Sequence, residues 1–152
     1  MATRSAIGVM HGDNCKMVYC HWDGYLQGVG ETLLKHYDSP KANHLVALGN
    51  ISSLGEEIGE KHPFSRFESN IGDEEYNKLY GNMTTFYGRD REEQDNEYKT
   101  FTKFTDAVEY FEGCWVEFMY IMNNDVWYVS QGDMNELVEL SVALKQTEKE
   151  TV

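Results

Sequence analysis

Cysteine is scarce in this chain. Its three residues, Cys15, Cys20 and Cys114, are an odd number without a CxxC spacing. That excludes a disulfide framework as the organising device and points to reduced thiols in a cytoplasmic setting. Long apolar runs are missing too. None approaches the ~20 residues that a membrane-spanning helix needs, so no membrane partner is expected. The first residues carry no apolar core of a secretory leader. Internal repeats and low-complexity tracts are absent. Among five histidines and three cysteines there is no HxH, no HExxH and no zinc-finger spacing, so neither a metal nor a cofactor is expected.

Positive charge is the remaining shortage. Thirteen Lys and Arg face 26 Asp and Glu, a net charge of −13. The deficit is uneven. Residues 1–55 hold four acids and four bases, residues 56–112 hold fifteen and seven, and residues 113–152 hold seven and two. A surface this negative repels phosphate backbones, which argues against direct binding of nucleic acid. It favours partners with basic surfaces, and it also serves solubility. The cluster Glu92, Glu93, Asp95 and Glu97 is the candidate partner-binding surface.

What is present suffices for a core. Hydrophobic residues make up 41% of the 152, and aromatics 13%. A chain of this length buries roughly 70% of its unfolded surface without cross-links. One α+β domain over residues 1–145 is expected, with 146–152 as a polar tail. Its sheet, antiparallel or mixed, would carry hairpins at both ends packed against several helices. Arg4–Met10 and Lys16–Cys20 read as the first hairpin, and Trp115–Met122 with Val126–Ser130 as the last. In the last hairpin Trp115, Met119 and Ile121 form one core stripe, and Val116, Phe118 and Tyr120 the other. A helix over Gly28–Tyr37 places Val29, Leu33 and Tyr37 on one face. A second follows, with Ser39 as N-cap and Gly49 as terminator. Residues 50–72 read as a surface excursion, and 74–80 as a short helix. Met83–Tyr87 reads as a strand, and Thr105 as the cap of a helix ending at Gly113. Asp133 with Glu136 signals a last helix, whose inner stripe is Leu137, Leu140, Ser141 and Leu144.

Three clusters invite chemistry. Cys20, His21 and Asp23 supply the residue types of a nucleophile, a base and an orienting group, or of soft and hard metal ligands, with a partner from elsewhere such as His36 or His44. Adjacent strand residues point to opposite faces, however, so Cys20 and His21 do not pair directly. The alternative packs Cys20 and Trp22 inward, leaves His21 and Asp23 to shape the turn, and gives the backbone freedom to Gly24. Gly28-Val29-Gly30 before a helix suits either an anion on free amides or a tight strand-to-helix turn. Gly88-Arg89-Asp90-Arg91 after Phe86-Tyr87 suits either a phosphate ligand or internal ion pairs. Tyr87, Arg89, Arg91, His21, Trp22 and Asp23 are thus the candidate ligand-binding residues; no catalytic residue is assigned.

Four blocks also carry a likeness. They are Thr3 to Ile7, then Val18 to Tyr37 around CHWDGY with a following GxxLLxHY, then Leu45 to Gly59, and Thr85 to Arg91. Together they resemble a family of small proteins from tailed bacteriophages and prophages. The resemblance implies a virus-encoded accessory protein in the host bacterial cytoplasm, and carries over no catalytic residue. Three functions compete: an inhibitor that binds a host defence protein or enzyme with a basic surface, a protein that sequesters a nucleotide, and a small Cys/His/Asp hydrolase. The aromatic C-terminal hairpin and the nearly neutral first 55 residues favour a homodimer.

Overall fold

The computed structural model describes residues 3–63, 71–131 and 136–150. The expected α+β class forms, as an eight-stranded mixed sheet. Strand β1 (Ser5–His11) turns through Gly12 into β2 (Asn14–Cys20) as an antiparallel hairpin. A π-helical turn over Leu26–Gly30 leads into α1 (Glu31–His36). Val29, Leu33 and Tyr37 are buried, as their spacing predicts. Helix α2 (Ser39–Ala47) is capped by Asp38, whose carboxylate accepts from the Lys41 amide at 3.0 Å. The cap therefore falls one residue before Ser39.

Next comes β3 (Ile51–Ser53), within the stretch read as a surface excursion. Ile51 and Ser52 are instead buried. Three residues show no periodicity, and β3 is held by its neighbours: Ile51 pairs with Cys20 of β2 on one side. Helix α3 (Asp73–Tyr80) and β4 (Thr85–Phe86) follow, and β4 completes the edge beyond β3. Strand β5 (Lys99–Phe101) pairs with the other end of β2. Helix α4 (Phe104–Glu112) starts after Lys103 without a side-chain cap, so Thr105 lies inside it rather than capping it.

Strands β6 (Phe118–Asn123) and β7 (Val126–Gln131) join through Asn124 and Asp125, both at positive φ. That backbone matches the right-handed strand twist. Trp115 does not begin the strand. It sits at φ 66° in the turn leaving α4 and is 78% exposed, so it is not sheet core. After β8 (Val138–Glu139) comes α5 (Leu140–Glu150). This helix starts later than its capping signature suggests: Asp133 lies outside the described residues, and Leu137 is exposed ahead of the helix. It also occupies most of the expected polar tail.

The strand order is β4-β3-β2-β1-β6-β7-β8, with β5 beside β2, and the parallel β1–β6 pair fuses the two hairpins. Two cores result. Ile7, Val18, Cys20, Tyr120 and Val129 pack beneath α1, α2 and α5. Ala6, Met17, Met119 and Ile121 pack against Ala107, Val108 and Phe111 of α4. With both faces of its central strands covered, the sheet reads as continuous apolar runs rather than clean alternation. Among the described residues no helix is long and apolar enough to cross a membrane.

Candidate functional site

The register at one end of the sheet gathers residues that are distant in sequence. Cys20 pairs with Ser5 and with Ile51, and Ile51 pairs with Phe86. Cys20, Ile51 and Phe86 point into the core beneath α1 and α2. Alternation then turns their chain neighbours Arg4, Tyr19, Ser52 and Tyr87 to the opposite face. His21 joins them, its Nδ1 lying 2.7 Å from the Tyr19 hydroxyl. The backbone secures the group. His21 and Trp22 donate to the carbonyls of Ile51 and Ser52, each at 3.1 Å, and Tyr87 donates to Asn50 at 3.2 Å. The Asn50 side chain accepts from the Tyr19 amide at 2.9 Å. CHWDGY and FYGRDR thus meet on one shelf.

Its groups are uncharged except for two arginines. Burial pushes the Tyr19 phenol up to about 12, and burial also raises Tyr87, against the opposing Ser52 hydrogen bond. His21 is held below its usual value by partial burial and then by Arg4 and Arg91, leaving it neutral at pH 7. Arg4 donates to the Cys114 carbonyl at 3.4 Å, where α4 has ended. The Arg91 guanidinium lies 5.1 Å from the Tyr87 ring centre, and its Nε is 2.8 Å from Glu93. Trp22 meets His21 edge-on at 4.7 Å and is 44% exposed, so it does not pack inward.

Two of the candidate ligand residues stand apart from this group. Arg89 binds Asp90 through Nε and Nη2, at 3.0 and 3.1 Å, and also donates to the Gly59 and Thr84 carbonyls. Asp90 is buried and further accepts from the amides of His62 and Phe86. Arg89 is therefore an internal ion-pair partner. Asp23 holds the turn by its backbone: at φ 57° its carbonyl accepts from Val29 at 2.8 Å. The left-handed residue is thus Asp23, not Gly24. Gly24 is needed for closeness, because a Cβ there would lie 2.8 Å from the Thr3 carbonyl oxygen.

Two amides of the glycine turn are occupied. Gly28 donates to Tyr25 and Val29 to Asp23. A Cβ on Gly28 would sit 2.3 Å from the Asp23 carbonyl oxygen, so the turn reading accounts for it. Nor does a Cys–His–Asp array assemble. Cys20 is fully buried and burial pushes its thiol up to about 12, the opposite of an activated nucleophile. His21 faces the other side of the sheet, and His36 lies on α1, 3.6 Å from Glu56. Among the described residues no three His, Cys, Asp or Glu side chains are placed to hold a metal ion.

The acidic cluster borders the shelf and is tied back by hydrogen bonds and ion pairs. Glu92 and Asp95 adopt positive φ, and Asn50 pins the loop by donating to the Asn96 carbonyl at 2.7 Å. Glu92 pairs with Lys61 and Glu93 with Arg91. Asp95 and Glu97 are exposed and have no cationic partner among the described residues. They rim a recess of about 340 Å³ floored by Ala47, Leu48 and Gly88. A larger cleft of about 580 Å³ lies between α1, α2 and the β6–β7 tip, sharing no residue with loop or shelf. Sequence reasoning placed Arg4 in the first strand and Tyr19 in the second, but missed Arg4, Tyr19, Asn50 and Ser52 as site residues. Arg4 could have been found, since alternation along that strand sets it on the face opposite Ser5; Asn50 gives no signal, because it depends on the short β3. No protein-family model, no curated protein and no solved structure matches the chain.

Proposed function

We propose that this chain is a non-catalytic, phage-encoded accessory protein of the bacterial cytoplasm that binds and inhibits a host protein with a basic surface. The pinned loop supports this reading best. It presents Asp95 and Glu97 around a recess that can receive a lysine or arginine side chain, without further ordering of the backbone. Preorganisation of that kind lowers the entropic cost of association. A charge of −13 steers basic partners towards it and suppresses acidic ones.

Reversing Glu92, Glu93 and Asp95 to lysine should abolish capture of a host protein from bacterial lysate while leaving the melting temperature within a few degrees. The pair Asp95→Lys and Glu97→Lys should weaken capture more than Glu92→Lys, because Glu92 is already engaged by Lys61. Capture that survives all three variants leaves the acidity as a solubility device.

Self-association is a second element of the proposal. Both faces of β6 are covered from within the chain, so the C-terminal hairpin does not itself demand a second copy. The exposed Leu137, Val138 and Val142 beside the β8 edge are the better contact. Light scattering at low micromolar concentration should give twice the 17.6 kDa of one chain; a single-chain mass contradicts it.

A further inference from the structure

The shelf opposite Cys20 is lined by rings and guanidinium groups. In a chain of −13 it carries two arginines, Arg4 and Arg91. It also brings together the rings of Tyr19, His21, Trp22 and Tyr87, with the Ser52 hydroxyl beside Tyr87. We propose that this shelf binds a free nucleotide of one or a few phosphates, its base stacked on the exposed Trp22 and the half-buried rings beside it, and its phosphate on Arg4 and Arg91.

Charge complementarity selects the occupant. Guanidinium groups match phosphate oxygens in a planar fork, and aromatic faces accept any base without needing an enclosed pocket. The phenols of Tyr19 and Tyr87 stay protonated at neutral pH, so they do not repel an anion. His21 is neutral and sits 2.7 Å from the Tyr19 hydroxyl through Nδ1, which fixes its ring on the shelf. The neighbouring acidic loop sets the size limit. A nucleic-acid strand leaving the shelf would run against Glu93, Asp95 and Glu97, whereas a compact nucleotide need not. Glu93 already lies on Arg91 and so competes with a phosphate for it.

Calorimetric titration of the whole protein with ADP, GDP and UDP tests this, with adenosine, pyrophosphate and a short oligothymidylate as comparisons. At least one nucleotide should bind at least tenfold more tightly than adenosine, pyrophosphate or the oligothymidylate. Arg91→Lys and Arg4→Lys should each weaken it at least fivefold with the melting temperature retained, and Glu93→Gln should tighten it. No binding of any of the three nucleotides at millimolar concentration overturns the proposal. So does affinity unchanged in both arginine variants, or tighter binding of the oligothymidylate, which would make the shelf a strand-binding surface. Host-protein capture by Asp95 and Glu97 is read out separately, so either proposal can fail without the other.

Discussion

Raising the pH from 9 towards 12 should unfold the protein, and the buried thiols should account for much of the loss. Cys15 and Cys20 are both fully buried, and burial pushes each up to about 12 from an ordinary 9.0. In this window the folded state keeps its two thiol protons while the unfolded chain releases them. The unfolded state therefore binds fewer protons, and stability falls as pH rises. Three pH units correspond to about 4 kcal/mol per thiol, or about 8 kcal/mol for the pair. That is comparable to the whole stability of a typical domain, roughly 5–15 kcal/mol. Circular dichroism against pH should show the transition, and it should shift to higher pH in the Cys15→Ala, Cys20→Ala double variant. At pH 8 a thiol reagent should modify the partly exposed Cys114 first. Rapid reaction of all three thiols in the native protein would refute the burial argument.

Replacing Gly49 by alanine should be the most damaging single-methyl change. Gly49 has φ 96°, and a Cβ there would lie 2.3 Å from the backbone oxygen of Asn96. A left-handed non-glycine residue alone is strained by roughly 1–3 kcal/mol. The clash is with a carbonyl of the acidic loop rather than with the far end of a flexible side chain, so relief requires the loop to move. A total near 3 kcal/mol corresponds to roughly 6–12 °C in melting temperature for a chain of this size. The Asn50–Asn96 contacts should be lost with it, and host-protein capture should fall although no acidic residue has changed. Differential scanning calorimetry with a parallel pull-down checks both. An unchanged melting temperature would mean that Gly49 does not support the loop.

How much of this was legible in the sequence depends on whether local pattern or long-range pairing decided each element. The helix face of Val29, Leu33 and Tyr37 follows from spacing, and the β6–β7 hairpin from its aromatic and β-branched runs around Asn124 and Asp125. Both are local. Strand β3 was not legible, because three residues have no period and its pairing to β2 and β4 spans the chain. Trp115 was misread for the opposite reason: a large aromatic next to a strand looks like core, but the C-terminal turn of α4 throws it outward. Arg89 and Arg91 are two residues apart and were treated alike. Only the fold separates them, since the buried Asp90 takes the first and leaves the second on the shelf with Tyr87. The acidic loop was visible as charge, whereas its attachment rests on Asn50, a residue no composition argument singles out.

The central claim is that a preformed acidic loop recognises a basic partner, and its most direct test is the salt dependence of that partner's affinity. Calorimetric titration of the captured host protein from about 0.05 to about 0.5 M salt should show Kd rising steeply, as exposed charges are screened over a shortening Debye length. The Asp95→Lys, Glu97→Lys variant should bind weakly at every salt concentration and show a flatter or reversed dependence. A Kd that stays constant across the range, in wild type and variant alike, would contradict the account.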